Sequence, residues 1–147
     1  MKLLFKSEFD KMPGIKCVLV KTDFTNSFLQ EILLKDIDTE KLSKAVSCIS
    51  KSIIQEINLD CFRYKINNEL VPLNYLSSGE FYFFIAEVSR QTGEEIVFLR
   101  ACECLTDKNI KLFMDMFRDA NITLVVQDYN LDIYLFIKEY GEEIGIW

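Results

Sequence analysis

The chain contains no histidine, and this absence removes several classes of catalytic site at once. Nucleophilic catalysis by a serine–histidine or cysteine–histidine pair needs an imidazole, and so does a histidine-ligated zinc site. Histidine is also the commonest general base in enzymes. We therefore expect a protein that is not an enzyme.

Long hydrophobic runs are also missing. No apolar run approaches the roughly 18 residues that a membrane-spanning helix needs, and the first residues become charged too early for a signal peptide. The chain has five cysteines, which are Cys17, Cys48, Cys61, Cys102 and Cys104. Their spacing matches no disulfide framework, so reduced thiols in a cytoplasmic protein without a membrane partner are the simplest interpretation.

Apolar and acidic side chains are abundant. Half of the 147 residues are apolar, with 12 Phe and 6 Tyr, and the net charge is −6. This length and composition suit a single domain over residues 1–147 with an aromatic core. Because a nucleic-acid backbone favours clustered Lys and Arg, an acidic chain could bind one only through a local basic face.

Strand-like and helix-like segments alternate along the chain. Strands are predicted at "MKLLF", "IKCVLV", "IVFLRA" and "NITLVVQD", and a hairpin is predicted around Asn67-Asn68. Helices are predicted from Thr39, with apolar residues at helical spacing as far as Ile57, and in "GEFYFFIAEVSRQ" and "TDKNIKLFMDMFRDA". The pattern predicts an α/β fold with a mostly parallel sheet flanked by helices. The hairpin and the first strand would form a small antiparallel addition.

The stretch from Leu76 to Glu80, L-S-S-G-E, has two interpretations. Ser77 and Glu80 fit the S-x-x-E capping box of a helix start. The second interpretation comes from the next three segments of the chain: a buried strand at Ile96–Leu99, a helix at Ile110–Phe117 and a strand at Ile122–Val126. In this order the segments resemble the second half of an ABC-type ATPase domain, in which an LSGGQ-like signature precedes the Walker B strand.

The resemblance implies a P-loop NTPase, ABC-like fold with a reduced helical subdomain. Its signature-like residues would be Ser77, Ser78, Gly79 and Glu80. The phosphate-binding loop would fall on residues 20–27, V-K-T-D-F-T-N-S.

That loop position is degenerate. Both glycines are absent, Asn26 stands at the lysine position, and Ser27 alone is kept. Such a loop cannot wrap its N–H groups around phosphates. The Walker B aspartate and the following glutamate are replaced by Arg100 and Ala101. We therefore expect a pseudo-ATPase that does not bind ATP.

Among ABC-like proteins, this pattern of loss resembles the small accessory spacer-acquisition protein of type II-A CRISPR systems. The likeness lies in "MKLLF…MPGIKCVLVKTDF" and in "IVFLRACECLTDKNIKLFMDMFRDANITLVVQDYN". It implies an inactive DNA-binding or scaffolding subunit in spacer acquisition or related defence. It also implies a four-subunit ring that holds double-stranded DNA, with calcium ordering the ring. The chain is shorter than typical members, and no set of metal ligands is assigned.

Two basic faces are candidates for DNA contact, and the alternative for both is an ordinary solvated face. The first consists of Lys41, Lys44 and Lys51, and the second of Lys108, Lys111 and Arg118. A competing function is a regulatory subunit that donates its LSSGE signature in trans to a catalytic ABC-type ATPase. Both functions imply a protein partner or a homo-oligomer.

Overall fold

The structure is a computed structural model that describes residues 1–14, 18–19, 36–49, 53–100, 104–126 and 135, and these form an α/β fold. Its strands are β1 (Lys2–Phe5), β2 (Val18–Leu19), β3 (Glu56–Asn58), β4 (Arg63–Ile66), β5 (Glu69–Pro72), β6 (Ile96–Phe98) and β7 (Ile122–Val126). Its helices are α1 (Lys6–Phe9), α2 (Thr39–Ser47), α3 (Ser78–Thr92) and α4 (Asp107–Met116), with a short 3₁₀ turn at Leu73–Tyr75.

Four strands form a parallel sheet in the order β1-β7-β6-β2. All five residues of β7 are buried, as expected for a parallel strand that is covered on both faces. Helix α4 connects β6 to its neighbour β7, which gives the strand–helix–strand unit that parallel pairing requires. The predicted mostly parallel sheet is therefore present in the described residues.

The first strand belongs to this parallel sheet and not to the antiparallel addition. Leu3 of β1 pairs with Leu124 of β7, and the two strands run parallel. Leu3 and Leu4 point to opposite faces of the sheet and both are buried. A strand that is apolar on both faces needs cover on both sides, so its expected place in the antiparallel addition was wrong.

The antiparallel addition is a separate sheet with the order β3-β4-β5. Strands β4 and β5 are joined by Asn67 and Asn68, whose φ angles are 49° and 65°. Two successive left-handed residues match the twist of a tight hairpin, and asparagine tolerates them better than most residues. The predicted hairpin at Asn67-Asn68 is confirmed.

Helix α2 is shorter than the periodicity predicted. It begins after Asp38, whose carboxylate accepts from the N–H groups of Glu40 and Lys41, and it ends at Ser47. Ile57 lies in β3, where it is buried, while the Ile53 side chain is 73% exposed. The β-branched residues of this segment favour a strand, and pairing with β4 satisfies the backbone of β3. The expected continuation of the helix to Ile57 was wrong.

Helix α3 lies at the centre of the core, as its nearly continuous apolar sequence predicted. Every residue from Phe81 to Ser89 is buried. The Phe83 ring meets Phe113 of α4 edge to face, with ring centroids 5.2 Å apart. The Tyr82 ring packs against Phe98 of β6 with centroids 4.4 Å apart. Helix α2 also packs against α3.

We predict that Asn68→Ala lowers the free energy of unfolding by about 1 kcal/mol, because a Cβ without a local hydrogen-bonding group is disfavoured at positive φ. Asn68→Gly is the matched control, and it should match or exceed the wild-type stability. Urea denaturation of the three proteins measures this difference. Equal stability of the alanine and glycine variants would contradict the left-handed turn.

Candidate functional site

The signature-like stretch forms a complete capping box at the start of α3. The N–H of Glu80 donates to Ser77 Oγ at 3.2 Å, and the N–H of Ser77 donates to Glu80 Oε1 at 3.0 Å. Each side chain thus satisfies a backbone donor that the helix start leaves without an intrahelical partner. The capping interpretation of Ser77 and Glu80 is confirmed, and Leu76 just before them is buried in the core.

Gly79 lies where a Cβ would make unusually tight contacts. A Cβ at this position would lie 3.0 Å from the carbonyl oxygen of Cys104 and 3.3 Å from Cδ1 of Ile49. The first neighbour is a backbone atom just before α4, and the second follows α2, so the glycine lets three segments approach closely. The glycine of L-S-S-G-E therefore has a packing reason in this chain.

The Glu80 carboxylate also acts on a neighbouring strand. Burial raises the pKa of the Tyr64 phenol on β4, and the negative charge of Glu80 raises it further. Both effects favour the neutral phenol. A negative charge therefore already stands at the N-terminal end of α3, where the helix dipole would otherwise attract an anion.

The parallel register brings the ends of β2 and β6 to one edge of the sheet. Strands β2 and β6 are neighbours and end at Leu19 and Phe98, so the chain leaves both strands at the same edge. Arg100, at the position of the Walker B aspartate, follows β6 in an exposed turn. Asn26, Ser27 and Ala101 lie outside the described residues.

The lysines of α2 are exposed, and each is paired with an acidic residue at the start of this helix. Lys44 Nζ lies 2.8 Å from Glu40 Oε1, and Lys41 Nζ lies 3.9 Å from Asp38 Oδ2. The hydrogen bond to Glu40 raises the pKa of Lys44. Two cations thus face two anions, which leaves this helix surface without an excess of positive charge. Lys51, the third member of the predicted face, lies outside the described residues.

The cations on and after α4 are also mixed with acids. Lys108 and Lys111 are exposed on the helix, and Arg118 follows it. The Arg118 guanidinium lies 3.7 Å from Asp115 Oδ1, and the Arg118 carbonyl accepts from the Met1 amino group at 2.8 Å. Arg118 therefore has a structural role that the sequence pattern does not indicate.

A buried carboxylate on α3 was not singled out from the sequence. The Glu87 side chain is fully buried, and its Oε1 accepts from Gln91 Nε2 at 3.0 Å. Its Oε2 faces the Arg90 guanidinium as an ion pair without a hydrogen bond of good geometry. Gln91 in turn accepts from the Asp38 N–H at 2.6 Å.

The same network reaches α4. Arg90 Nη1 donates to the Met116 carbonyl at 3.0 Å, and the guanidinium lies over the Phe117 ring at 5.2 Å. Glu87 thus connects the start of α2 to the end of α4 through two side chains of α3. The sequence feature that could have indicated this network is a glutamate within an apolar run, followed three and four residues later by Arg and Gln. Its role is structural, because all of its contacts are internal.

One cavity lies beside β1 and α1. It has a volume of about 340 Å³ and is lined by Lys2, Leu4, Glu8 and Met12. The Glu8 carboxylate accepts from the Phe5 N–H at 3.2 Å. Among the described lining residues, one cation and one anion stand beside two apolar side chains, so these residues bring no net charge that would select an ionic ligand.

Three of the cysteines, Cys48, Cys61 and Cys104, are free thiols. Within the described ranges, no three acidic or cysteine side chains come together as a metal site. None of the helices in the part of the chain that the structure describes is long and apolar enough to cross a membrane. Comparisons with protein-family models, with curated proteins and with solved structures found no match.

We predict that Ser77→Ala lowers the free energy of unfolding by about 1 kcal/mol, because Glu80 loses the acceptor for its N–H. Ser77→Asp keeps an acceptor at the cap and should retain most of the stability. Thermal or urea unfolding measures both. If the aspartate variant were destabilised as much as the alanine variant, the cap would not be the reason for this serine.

Gly79→Ala is expected to destabilise the protein by about 1–3 kcal/mol, although alanine is the better helix former by about 1 kcal/mol. The new Cβ would press on the Cys104 carbonyl, and a backbone atom cannot move aside as a side-chain end can. Urea unfolding measures the change. An increase in stability would contradict the close approach.

Proposed function

We propose that this chain is a catalytically inactive, ABC-like DNA-binding or scaffolding subunit, with a role in CRISPR spacer acquisition or related defence. The chain would contribute a fold and a surface to an assembly that contains double-stranded DNA. ATP turnover has no part in this role, since the loop of residues 20–27 has no glycine and carries Asn26 at the position of the phosphate-binding lysine. Calcium is an expected component of the assembly only through the resemblance to the CRISPR accessory family.

The observation that most supports this proposal is that the residues of the signature-like stretch make their contacts within the fold. Ser77 and Glu80 hydrogen-bond with each other, and a Cβ at Gly79 would lie 3.0 Å from the Cys104 carbonyl oxygen. These contacts account for the residues without a nucleotide. A surface function then explains the chain better than a remnant of the ATPase reaction.

The same contacts count against the competing role as a signature donor in trans. Such a donor would present the free N–H groups of a helix start to the γ-phosphate on a partner. Here the Ser77 side chain already accepts from one of these groups, and the Glu80 carboxylate would repel the phosphate.

The donor role has a direct test if an ABC-type ATPase partner is available. Ser78→Arg should leave the ATPase rate of the partner unchanged, because the proposal gives this stretch no contact with nucleotide. Urea unfolding of Ser78→Arg checks that this variant is folded. A large loss of the partner's ATPase rate with a folded Ser78→Arg would favour the donor role.

DNA binding itself is tested with a fluorescently labelled short duplex, by anisotropy at increasing salt. We predict reversible binding whose log affinity falls linearly with log salt, by about 0.9 for each phosphate contacted. Duplexes of unrelated sequence should bind equally, since contacts to the backbone do not read bases. The absence of binding at low salt would contradict the DNA-binding function.

A further inference from the structure

The outer face of the three-stranded sheet carries two cations that sequence analysis did not select. Arg63 and Lys65 are two residues apart on the central strand β4, so their side chains leave the same face. The alternating residues Tyr64 and Ile66 point to the other face, where Tyr64 is buried and Ile66 packs against the main core. Arg63 and Lys65 therefore lie on the side of the sheet away from this core, where Arg63 is exposed and Lys65 is half-buried.

The strand register defines what surrounds the two cations. Arg63 lies between Asn58 of β3 and Pro72 of β5, and Lys65 lies between Glu56 and Leu70. These six residues, Glu56, Asn58, Arg63, Lys65, Leu70 and Pro72, are called here the outer sheet face. It has two cations and one anion, whereas the start of α2 has two of each.

The two cations differ from the lysines of α2 in how they are paired. Among the described residues, neither the Arg63 guanidinium nor the Lys65 ammonium makes an ion pair or a side-chain hydrogen bond. Glu56 faces Lys65 across the strands but forms no ion pair with it. Each lysine of α2, in contrast, has an acidic neighbour within 4 Å. Within the part of the chain that the structure describes, an incoming phosphate would displace no ion pair at Arg63 or Lys65.

We propose that the outer sheet face is the surface that contacts the phosphate backbone of duplex DNA, through Arg63 and Lys65. This inference rests on the proposed DNA-binding function and assigns it to a part of the fold that differs from both helical faces. The two side chains leave the strand about 6.8 Å apart.

The composition of the face favours a duplex over a single strand. Binding of single strands relies on aromatic rings on which bases stack. None of the six residues of the outer sheet face is aromatic. Arg63, Lys65 and the amide NH₂ of Asn58 are donors suited to phosphate oxygens, and the Asn58 side-chain oxygen is already used by the Asp60 N–H at 3.1 Å.

The decisive experiment compares two double variants that remove the same charge. Arg63→Gln with Lys65→Gln is expected to weaken duplex binding about tenfold or more at low salt and to reduce the salt slope by about 2. Lys41→Gln with Lys44→Gln changes the net charge equally and should leave both quantities close to wild type. Circular dichroism and urea unfolding of each variant check that the fold is retained.

A second pair of variants tests the same surface by an expected increase in affinity for the duplex. Glu56→Gln removes the carboxylate beside Lys65 and should tighten duplex binding severalfold. Glu40→Gln is the matched control, because it raises the net charge equally at α2, and it should have little effect. This pair of variants also tests whether the outer sheet face contacts the duplex if the double variant at Arg63 and Lys65 does not fold.

The outcomes separate the two proposals. If the wild-type chain binds duplex DNA but the α2 variants change affinity as much as the sheet variants do, the outer sheet face is wrong while DNA binding stands. Tighter binding of a single strand of equal length would likewise overturn the duplex assignment. If the wild-type chain binds no duplex at low salt, both proposals fail.

Discussion

The burial of helix α3 is the interaction on which the rest of the structure depends. Its residues from Phe81 to Ser89 have no exposed side, and each large apolar side chain buried in this way contributes roughly 1.5–3 kcal/mol before entropy is subtracted. The β6 strand and helices α2 and α4 all pack on it. A helix in this position must begin and end at defined residues, because a shift by one residue would rotate all of these contacts.

Both ends of α3 are fixed by specific local features. At the start, Ser77 and Glu80 cap the backbone, and Gly79 permits contact with the carbonyl of Cys104. At the end, Gly93 takes a left-handed φ of 76° that terminates the helix. The residues that resemble an ATPase signature are thus explained first by the demands of the core. The stretch therefore gives no independent support for a role in nucleotide chemistry.

Much of the local structure could be predicted from the sequence, because its causes lie within a few residues. The capping box at Ser77, the turn at Asn67-Asn68 and the buried face of α4 depend on neighbours close in the chain. The end of α2 and the partner of β1 could not be predicted in the same way. They depend on pairing with β4 and β7, which lie far along the sequence.

The charged side chains show the same difference between local and long-range causes. The pairing of Lys44 with Glu40 is a local i, i+4 contact that the sequence already contained. Which face of the sheet Arg63 and Lys65 occupy depends instead on which face of the antiparallel sheet meets the core, and long-range packing decides this.

We propose that this chain is an assembly subunit on double-stranded DNA that does not act through nucleotide chemistry. Size-exclusion chromatography with light scattering, with and without calcium and a short duplex, tests it most directly. We expect an oligomeric species that takes up the duplex and elutes with it, with the mass of a whole number of subunits plus DNA. A monomer whose mass is unchanged by duplex and by calcium would contradict it.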